Sequence, residues 1–360
     1  MGKLGVLVVD DSAYMRKVIS DIINKDPALE VVGVARDGID ALEKVRTCQP
    51  DVITLDVEMP RMDGLEFLRR LMTENPLPVV MVSSLTQEGS EVTLKALSLG
   101  AVDFVPKPSG AISLDIHKVG EDIVNKVKVA GRIPKHKLGG IMRAQQARLA
   151  TLSSRPAVSA PLGAPAPAAD KMADRLVIIG CSTGGPGTLQ QIIPHLPADL
   201  PAGILIVQHM PPVFTASLAK RLDEMSQVKV KEAKENDVIL QGWAYIAPGD
   251  YHMTVKRKGI IGLNQDPPVH SVRPAADVTF LSAVPHYGKR ILGVVLTGMG
   301  FDGAKGIDEV KKAGGKAIAQ DEATSIVYGM PKVVVEMGNA DRVLPVDKIA
   351  ESIVEMVEEL

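Results

Sequence analysis

The sequence predicts an α/β protein made of two domains, each built on a doubly wound parallel sheet. Three observations support this prediction. The chain has 360 residues, a length that suits about two domains. Short apolar runs alternate with helix-like periodic segments, over residues 1–128 and again from residue 175. Residues 129–174 lie between these regions and become rich in proline and alanine, which is typical of an extended linker.

The first domain alternates strand and helix five times. Its strand-like runs are Leu4–Val9, Val31–Ala35, Val52–Leu55, Val79–Val82 and Val102–Val105. The periodic, helix-like segments between them are Met15–Asn24, Ile39–Arg46, Leu65–Met72 and Val92–Leu99. Because crossovers between parallel strands are right-handed, a doubly wound sheet with helices on both faces is the expected arrangement. In that arrangement the first and third strands are neighbours.

The second domain resumes the alternation after the linker. Its strand-like runs are Leu176–Ile179, Ile204–Val207, Ile291–Leu296 and Lys316–Ala319, and its helix-like segments include Thr215–Met225, Ala304–Ala313 and Lys348–Glu358. Residues 228–263 contain short β-like pieces that are broken by Pro248-Gly249 and by Lys258-Gly259. We expect this stretch to be an antiparallel hairpin insertion in an otherwise parallel, Rossmann-like domain.

Composition excludes several classes of function. The formal net charge is −2 and aromatic residues make up 3% of the chain, so we expect no nucleic-acid binding. The two cysteines, Cys48 and Cys181, are far apart, which fits a reducing cytoplasm better than a disulfide framework. No apolar run is long enough to span a bilayer. We therefore expect a cytoplasmic protein without membrane insertion.

A cluster of carboxylates is predicted at one edge of the first sheet. Asp10 and Asp11 end the first strand and Asp56 ends the third, so the three would converge at the point where ligands bind in doubly wound folds. Such carboxylates repel one another unless a hard cation such as Mg²⁺ joins them. Ser83 and Lys107 follow neighbouring strands and complete the parts of a phosphoryl-accepting site. A single aspartate here would be read as a helix N-cap, but five such positions together are not.

These positions resemble the response-regulator receiver family over residues 3–125. The resemblance implies a flavodoxin-like fold, in which Asp56 accepts a phosphoryl group from a partner histidine kinase with Mg²⁺ present. It also implies the remaining roles: Asp10 and Asp11 hold the metal with Asp56, Lys107 contacts the phosphoryl group, and Ser83 and Phe104 switch on phosphorylation.

The second domain contains a strand followed by a Gly-x-Ser-x-Gly turn. The segment Gly180–Gly185 follows an apolar run and precedes a helix-like segment, so the turn would expose the hydroxyl of Ser182 at the sheet edge. A nucleophilic serine needs a base, and the base needs an orienting acid. His209 follows the buried run that ends at Gln208, and Asp302 lies between another buried strand and a helix. The three side chains are expected at one edge of one sheet.

Several other readings compete with this triad. The chain order of serine, histidine and aspartate differs from that of α/β-hydrolases, so the turn does not indicate that fold. Cys181 is a rival nucleophile, although it is expected to pack as a small apolar residue. Gly298–Gly303 also matches a dinucleotide fingerprint, with Asp321 where a ribose-binding acid would lie. Surface or capping roles are expected for four other histidines: His195, His252, His270 and His286.

Three segments resemble the catalytic segments of the CheB-type chemotaxis methylesterases: Gly180–Gly185, Gln208–Pro211 and Thr297–Gly303. The resemblance implies that Ser182 is the nucleophile, His209 the general base and Asp302 the orienting acid. It places the Met299 backbone N–H in the oxyanion hole, and we assign Thr183 there too. It further implies that the substrates are glutamyl methyl esters on chemoreceptor cytoplasmic helices, that receptor glutamines are also deamidated, and that phosphorylation of Asp56 controls access. No cofactor is expected for the esterase reaction.

Overall fold

The computed structural model describes residues 2–84, 86–107, 115–134, 138–140, 171–257 and 259–360. The chain divides into two compact units, Met1–Pro156 and Ala157–Leu360. Most of the predicted linker therefore lies outside the described residues. At its near end a helix continues to Gly131, and at its far end the Ala173 N–H donates a hydrogen bond to Ile239 O. None of the described helices has the length and hydropathy needed to cross a membrane.

The first unit is a five-stranded parallel sheet flanked by helices. Its strands are β1 (Leu4–Val9), β2 (Leu29–Ala35), β3 (Val52–Asp56), β4 (Val79–Ser83) and β5 (Asp103–Pro106). Its helices are α1 (Ala13–Asn24), α2 (Gly38–Cys48), α3 (Gly64–Glu74), α4 (Gln87–Leu99) and α5 (Asp115–Gly131). The strand order is β2-β1-β3-β4-β5. The predicted doubly wound sheet and the pairing of the first and third strands are confirmed.

Local sequence explains where these helices begin. Side chains of Ser12, Asp37, Asp63 and Thr86 each accept a hydrogen bond from a backbone N–H in the first turn of α1, α2, α3 and α4. The four helices thus start just after a strand or its loop. Helix α1 packs against α5, whereas α3 packs against both α2 and α4. The apolar strands between these two layers are buried, as expected for a parallel sheet covered on both faces.

The second unit contains a seven-stranded parallel sheet and a separate hairpin. Its strands are β6 (Leu176–Cys181), β7 (Gly203–Gln208), β8 (Lys229–Glu232), β9 (Trp243–Ile246), β10 (His252–Lys256), β11 (Ile260–Asn264), β12 (Ile291–Val295), β13 (Lys316–Gln320) and β14 (Arg342–Leu344). Its helices are α6 (Gly185–Ile192), α7 (Phe214–Met225), α8 (Ala276–Tyr287), α9 (Ala304–Lys312), α10 (Met330–Glu336) and α11 (Val346–Glu358). The order of the large sheet is β14-β13-β12-β6-β7-β9-β8.

The expected insertion over residues 228–263 is only partly antiparallel. Strands β10 and β11 form the expected antiparallel hairpin. Strands β8 and β9, however, pair in parallel with each other, and β9 pairs in parallel with β7, so both extend the main sheet. The prediction was wrong here because no helix-like segment separates the two short strands. Their crossover, residues 233–242, is irregular, and such a connection is easily mistaken for a turn between antiparallel strands.

Candidate active site

Three adjacent strands of the large sheet present the predicted triad. The order β12-β6-β7 places their carboxyl ends side by side. Ser182 directly follows β6, His209 directly follows β7, and Asp302 lies in the loop between β12 and α9. The structure therefore brings together the three side chains that the sequence placed at strand ends.

Backbone contacts hold these three segments against one another. The His209 N–H donates to Cys181 O over 3.1 Å, and the Ser182 N–H donates to Thr297 O over 3.0 Å. Gly298 touches the serine turn so closely that a Cβ added to it would lie 2.8 Å from Ser182 Cβ. The glycine is thus required for the loop that carries Asp302 to approach Ser182.

Gln208 is a buried polar residue whose role the sequence did not reveal. Its Nε2 donates to Ser182 O over 3.0 Å and to His209 O over 3.1 Å. Its Oε1 accepts a hydrogen bond from Cys181 Sγ over 3.1 Å. The sequence does contain a signal for this role, because Gln208 is a polar residue at the end of an otherwise apolar strand. The amide fixes the backbone that carries both the serine and the histidine.

Asp302 orients His209 and accepts hydrogen bonds from three donors. Its Oδ2 lies 2.7 Å from His209 Nε2 and accepts the Ala276 N–H over 2.6 Å, while Oδ1 accepts the Asp277 N–H over 3.0 Å. Burial alone would raise the pKa of Asp302, but the bonds from His209 and the two amides outweigh it, so the pKa lies below its ordinary value. Helix α9 begins at Ala304, and its N-cap residue is Gly303, which has no side-chain cap, so the Asp302 carboxylate is not the N-cap.

Asp302 engages one of the two ring nitrogens of His209. Because Nε2 faces Asp302, Nδ1 is the nitrogen that remains to accept a proton. Within the described part of the chain, no hydrogen bond joins Ser182 Oγ to His209. Catalytic hydrogen bonds are often long before substrate binds, so this arrangement is compatible with a base acting on Ser182.

Two backbone positions could stabilise an oxyanion beside Ser182. No hydrogen bond among the described residues uses the Met299 N–H, which lies in the loop that touches the serine turn. Thr183 is held on the turn itself, since its carbonyl oxygen accepts the Thr297 hydroxyl over 2.9 Å. Helix α6 begins two residues later at Gly185, and its positive N-terminal end favours negative charge at this place.

Cys181 is a poor alternative nucleophile. The residue is fully buried, and its thiol points at Gln208 rather than toward solvent. Burial raises the pKa of the Cys181 thiol far above its usual value, so the reactive thiolate is strongly disfavoured. The expectation that Cys181 packs inside the protein is confirmed.

Of two further histidines near the site, His252 is buried against expectation, whereas His270 is exposed as expected. His252 is 1% exposed, its Nδ1 accepts the Ala275 N–H over 3.2 Å, and its Nε2 lies 3.2 Å from Pro267 O. His270 Nε2 lies 2.9 Å from Asp277 Oδ2, immediately behind the triad acid. The expected surface or capping role is wrong for His252, because two buried backbone groups satisfy its ring.

The fingerprint Gly298–Gly303 is explained without a nucleotide. A Cβ added to Gly298 would lie 2.4 Å from Met330 Sδ, so this glycine allows close packing around Ser182. Asp321 Oδ1 accepts hydrogen bonds from the N–H and hydroxyl of Thr324, which occupy the carboxylate expected to bind a ribose. Neither feature supports the nucleotide alternative.

The carboxylate cluster of the first unit forms at the carboxyl ends of β1 and β3. Lys107 Nζ lies 2.7 Å from Asp56 Oδ2 and 3.2 Å from Asp10 Oδ2. Burial raises the pKa of Asp56 to about 6, although the hydrogen bond and charge of Lys107 act in the opposite direction. The single positive charge of Lys107 therefore neutralises only part of the negative charge of these two buried carboxylates.

These carboxylates fit a divalent cation. Asp10, Asp11 and Asp56 each place an oxygen within 4.8 Å of the others. Asp10 Oδ2 and Asp56 Oδ2 are buried, and the polar contact that the described part of the protein provides for both is Lys107 Nζ. Buried oxygens of this kind call for a further partner, and an all-oxygen set is what Mg²⁺ prefers.

The two predicted switch residues are buried on the neighbouring strands β4 and β5. Ser83 Oγ, at the end of β4, donates to Gly89 O in the first turn of α4 over 3.3 Å. Phe104 on β5 is 2% exposed, and Lys126 Nζ lies 5.2 Å from the centre of its ring. Both side chains thus connect the edge of the sheet that carries Asp56 to neighbouring helices.

Comparison with known proteins gives consistent matches for both units. The family model for the CheB methylesterase matches residues 177–353, and the model for the response regulator receiver domain matches residues 6–116. A crystal structure of the Thermotoga maritima CheB methylesterase catalytic domain superposes with a TM-score of 0.50 at 49% identity. The superposition covers 51% of this chain and 98% of that one.

Full-length relatives are also similar to this chain. A protein of Symbiobacterium thermophilum is 56% identical over 98% of this chain and 97% of its own length. A protein of Pyrococcus abyssi is 53% identical over 99% of this chain and 94% of its own length. Both are named protein-glutamate methylesterase/protein-glutamine glutaminase.

Proposed function

This chain belongs to the CheB methylesterase family and carries a response regulator receiver domain, and on that premise we propose that it hydrolyses glutamate methyl esters of chemoreceptors under the control of phosphorylation. The observation that carries the proposal is the meeting of Ser182, His209 and Asp302 at one sheet edge, with the histidine on the buried carboxylate. We propose residues 1–128 as the receiver, 129–174 as the linker and 175–360 as the methylesterase domain.

The first half of the proposed reaction forms an acyl-enzyme. Ser182 Oγ attacks the ester carbonyl, and His209 Nδ1 takes the hydroxyl proton while Asp302 stabilises the imidazolium through Nε2. The carbonyl electron pair becomes an oxyanion beside the backbone N–H groups of Met299 and Thr183. Collapse of this intermediate breaks the bond to the methoxy group, which takes the proton from His209 and leaves as methanol.

The second half releases the enzyme. His209 removes a proton from water, the resulting hydroxide attacks the glutamyl–serine ester, and the proton returns to Ser182 as the bond breaks. The product is a free glutamate side chain. The same steps convert a glutamine side chain if ammonia leaves in place of methanol, so we propose deamidation at the same site. No step requires a cofactor in the esterase domain.

Asp56 is the proposed phosphorylation site in the receiver domain. Asp10, Asp11 and Asp56 would hold Mg²⁺, which when bound supplies positive charge that offsets the phosphoryl group. Lys107 already lies within ion-pair distance of Asp56 and would contact the phosphoryl oxygens. Ser83 and Phe104 would change position in response. The phosphodonor is a histidine kinase, and a cytoplasmic location follows because the proposed substrates are cytoplasmic receptor helices.

The triad is tested by methanol release from methylated chemoreceptor. Substitution of Ser182→Ala removes the nucleophile, and we expect the rate to fall by about 10⁶ or to below detection. Cys181→Ala is the matched control, since it changes the neighbouring residue on the same turn and should retain most of the activity. Full activity of Ser182→Ala together with inactivity of Cys181→Ala would show that the nucleophile is wrongly assigned.

A further inference from the structure

A tight turn beside the triad holds two residues in an unfavourable backbone conformation. Val269 and Val272 exchange backbone hydrogen bonds of 3.1 and 3.0 Å across it. The two central residues, His270 and Ser271, have φ angles of 53° and 64°. Turns of this type favour Asn-Gly, because a residue with a Cβ is strained in the left-handed region. A histidine at this place suggests a role for its side chain.

The imidazole of His270 is anchored on a buried carboxylate. Its Nε2 lies 2.9 Å from Asp277 Oδ2, and Asp277 is only 2% exposed. Asp277 Oδ1 accepts the Gly306 N–H over 2.7 Å, and the Asp277 N–H holds Asp302. The position of the ring is therefore fixed relative to the triad acid.

A metal ion is a second reading of this group of side chains. His270, Asp277 and Asp302 have ligand atoms within 4.8 Å of one another. Each of the four carboxylate oxygens, however, already accepts a hydrogen bond from His209, His270 or a backbone N–H. Oxygens satisfied in this way favour a hydrogen-bonded support over an ion site.

The His270 ring also contacts an exposed aromatic residue. The rings of His270 and Phe301 meet edge to face, with centroids 4.5 Å apart and planes at 68°. Phe301 immediately precedes the triad acid, and it is 53% exposed. Edge-to-face pairs are stabilising beyond their buried area, so the Phe301 ring is held in place although half of it faces solvent.

We propose that Phe301 is a specificity-determining residue that contacts an apolar side chain of the protein substrate next to the modified glutamate, and that His270 is its positioning residue. The inference rests on the proposed function, because it requires a protein ester as the substrate. An aromatic ring that is already ordered loses little entropy on binding, and such rings often dominate recognition. Met299, two residues earlier on the same loop, is 50% exposed and extends the apolar surface.

The test compares two esters in the full-length protein. One substrate is a methylated chemoreceptor fragment, and the other is a small γ-methyl ester of blocked glutamate, which has no neighbouring side chain. For Phe301→Ala we expect the ratio of kcat/KM for the receptor to that for the small ester to fall about tenfold, chiefly through KM. An unchanged ratio would overturn the proposal.

His270→Asn separates positioning from folding. Asparagine is favoured in the left-handed region, so this variant should keep its Tm while it removes the ring that supports Phe301. We expect the ratio to fall about threefold in the wild-type background and not to fall further in Phe301→Ala. Equal, additive losses in both backgrounds would contradict a role through Phe301.

Two controls keep the outcomes distinct. Val343→Ala removes an apolar side chain that is 44% exposed on the edge strand β14, and it should leave the ratio unchanged. A drop in Val343→Ala as large as that in Phe301→Ala would count against the specific contact. Failure of the proposed function would appear differently, as full activity of Ser182→Ala on both esters.

Discussion

At the scale of single residues, the Asp302 carboxylate connects the two sides of the candidate active site. It accepts hydrogen bonds from His209 on one side and from the Ala276 and Asp277 amides on the other. Because its pKa lies below the ordinary value, the Asp302 carboxylate stays ionised through the neutral range. We expect catalysis to require the negative charge of Asp302 and both of its carboxylate oxygens.

Asp302→Asn should lower the rate of methanol release by about 10⁴, because the amide removes the charge and cannot accept all three N–H donors. The unpaired donors should also cost about 1–3 kcal/mol of unfolding free energy. Asp308→Asn is the matched control on helix α9, since the partners of that aspartate among the described residues are Lys312 and Asn339, and its rate should be unchanged. A rate for Asp302→Asn within tenfold of wild type would exclude the triad.

Asp56 gives the receiver site a pH dependence. Burial raises its pKa to about 6, so the carboxyl is increasingly protonated as the pH falls through this value. A proton on Asp56 competes with Mg²⁺. We expect the Mg²⁺ affinity, measured by calorimetry, to fall about tenfold when the pH is one unit below that pKa.

Asp56→Asn serves as the control for this titration. The variant should bind Mg²⁺ more weakly at neutral pH, and its affinity should lack the component that Asp56 contributes near pH 6. If the wild-type affinity does not change between pH 7.5 and about pH 5, Asp56 is not a ligand of the ion.

At the scale of secondary-structure elements, the active site depends on the close approach of the β12–α9 loop to the β6–α6 turn. Gly298→Ala should separate them, since the added Cβ would lie 2.4 Å from Met330 Sδ and 2.8 Å from Ser182 Cβ. We expect a loss of at least about 10²-fold in kcat, because small displacements of catalytic groups are costly. The kcat is measured by methanol release.

Gly314→Ala is the control for that substitution. Gly314 has a φ of 83°, and among the described residues the atom that its added Cβ meets is Lys289 Cβ at 3.5 Å. The change should therefore lower the unfolding free energy by about 1 kcal/mol and leave kcat as in wild type. Gly298→Ala with wild-type kcat would show that the approach of the two loops is not needed for catalysis.

The sequence predicted those elements whose pattern is local. Buried strands such as β1, β3, β6 and β12 read as short apolar runs, and their order follows from right-handed crossovers. Strands β8 and β9 were misassigned because hydrogen bonding between strands is a tertiary property that no local pattern encodes. Helix α8 was missed because its sequence is apolar on most sides, and this removes the helical periodicity.

The same distinction holds for the active site. Ser182, His209 and Asp302 were predicted because each follows a buried strand, and strand ends share one edge of a parallel sheet. Asp277 and His270 were not predicted as part of this site. Their contacts with the triad depend on a loop and on the start of a helix far along the chain. Their positions come from tertiary packing, and only the backbone strain at His270 marks the turn as unusual.

At the scale of the whole molecule, two chemically different sites occur in one chain. The receiver unit contains Asp56, the proposed phosphorylation site, and the esterase unit contains Ser182, the proposed nucleophile. A phosphoryl group on Asp56 carries about −1.5 to −2 charges in place of the single negative charge of the carboxylate. Such a change controls the second site if it shifts an equilibrium between states that differ in access to Ser182.

The most direct test is the initial rate of methanol release from methylated chemoreceptor by the full-length protein, measured before and after addition of beryllofluoride and Mg²⁺. Beryllofluoride mimics the phosphoryl group on Asp56, so the rate should rise for wild type, stay at its basal value for Asp56→Asn, and be absent for Ser182→Ala. A wild-type rate that does not change with beryllofluoride, or that persists in Ser182→Ala, would contradict the account.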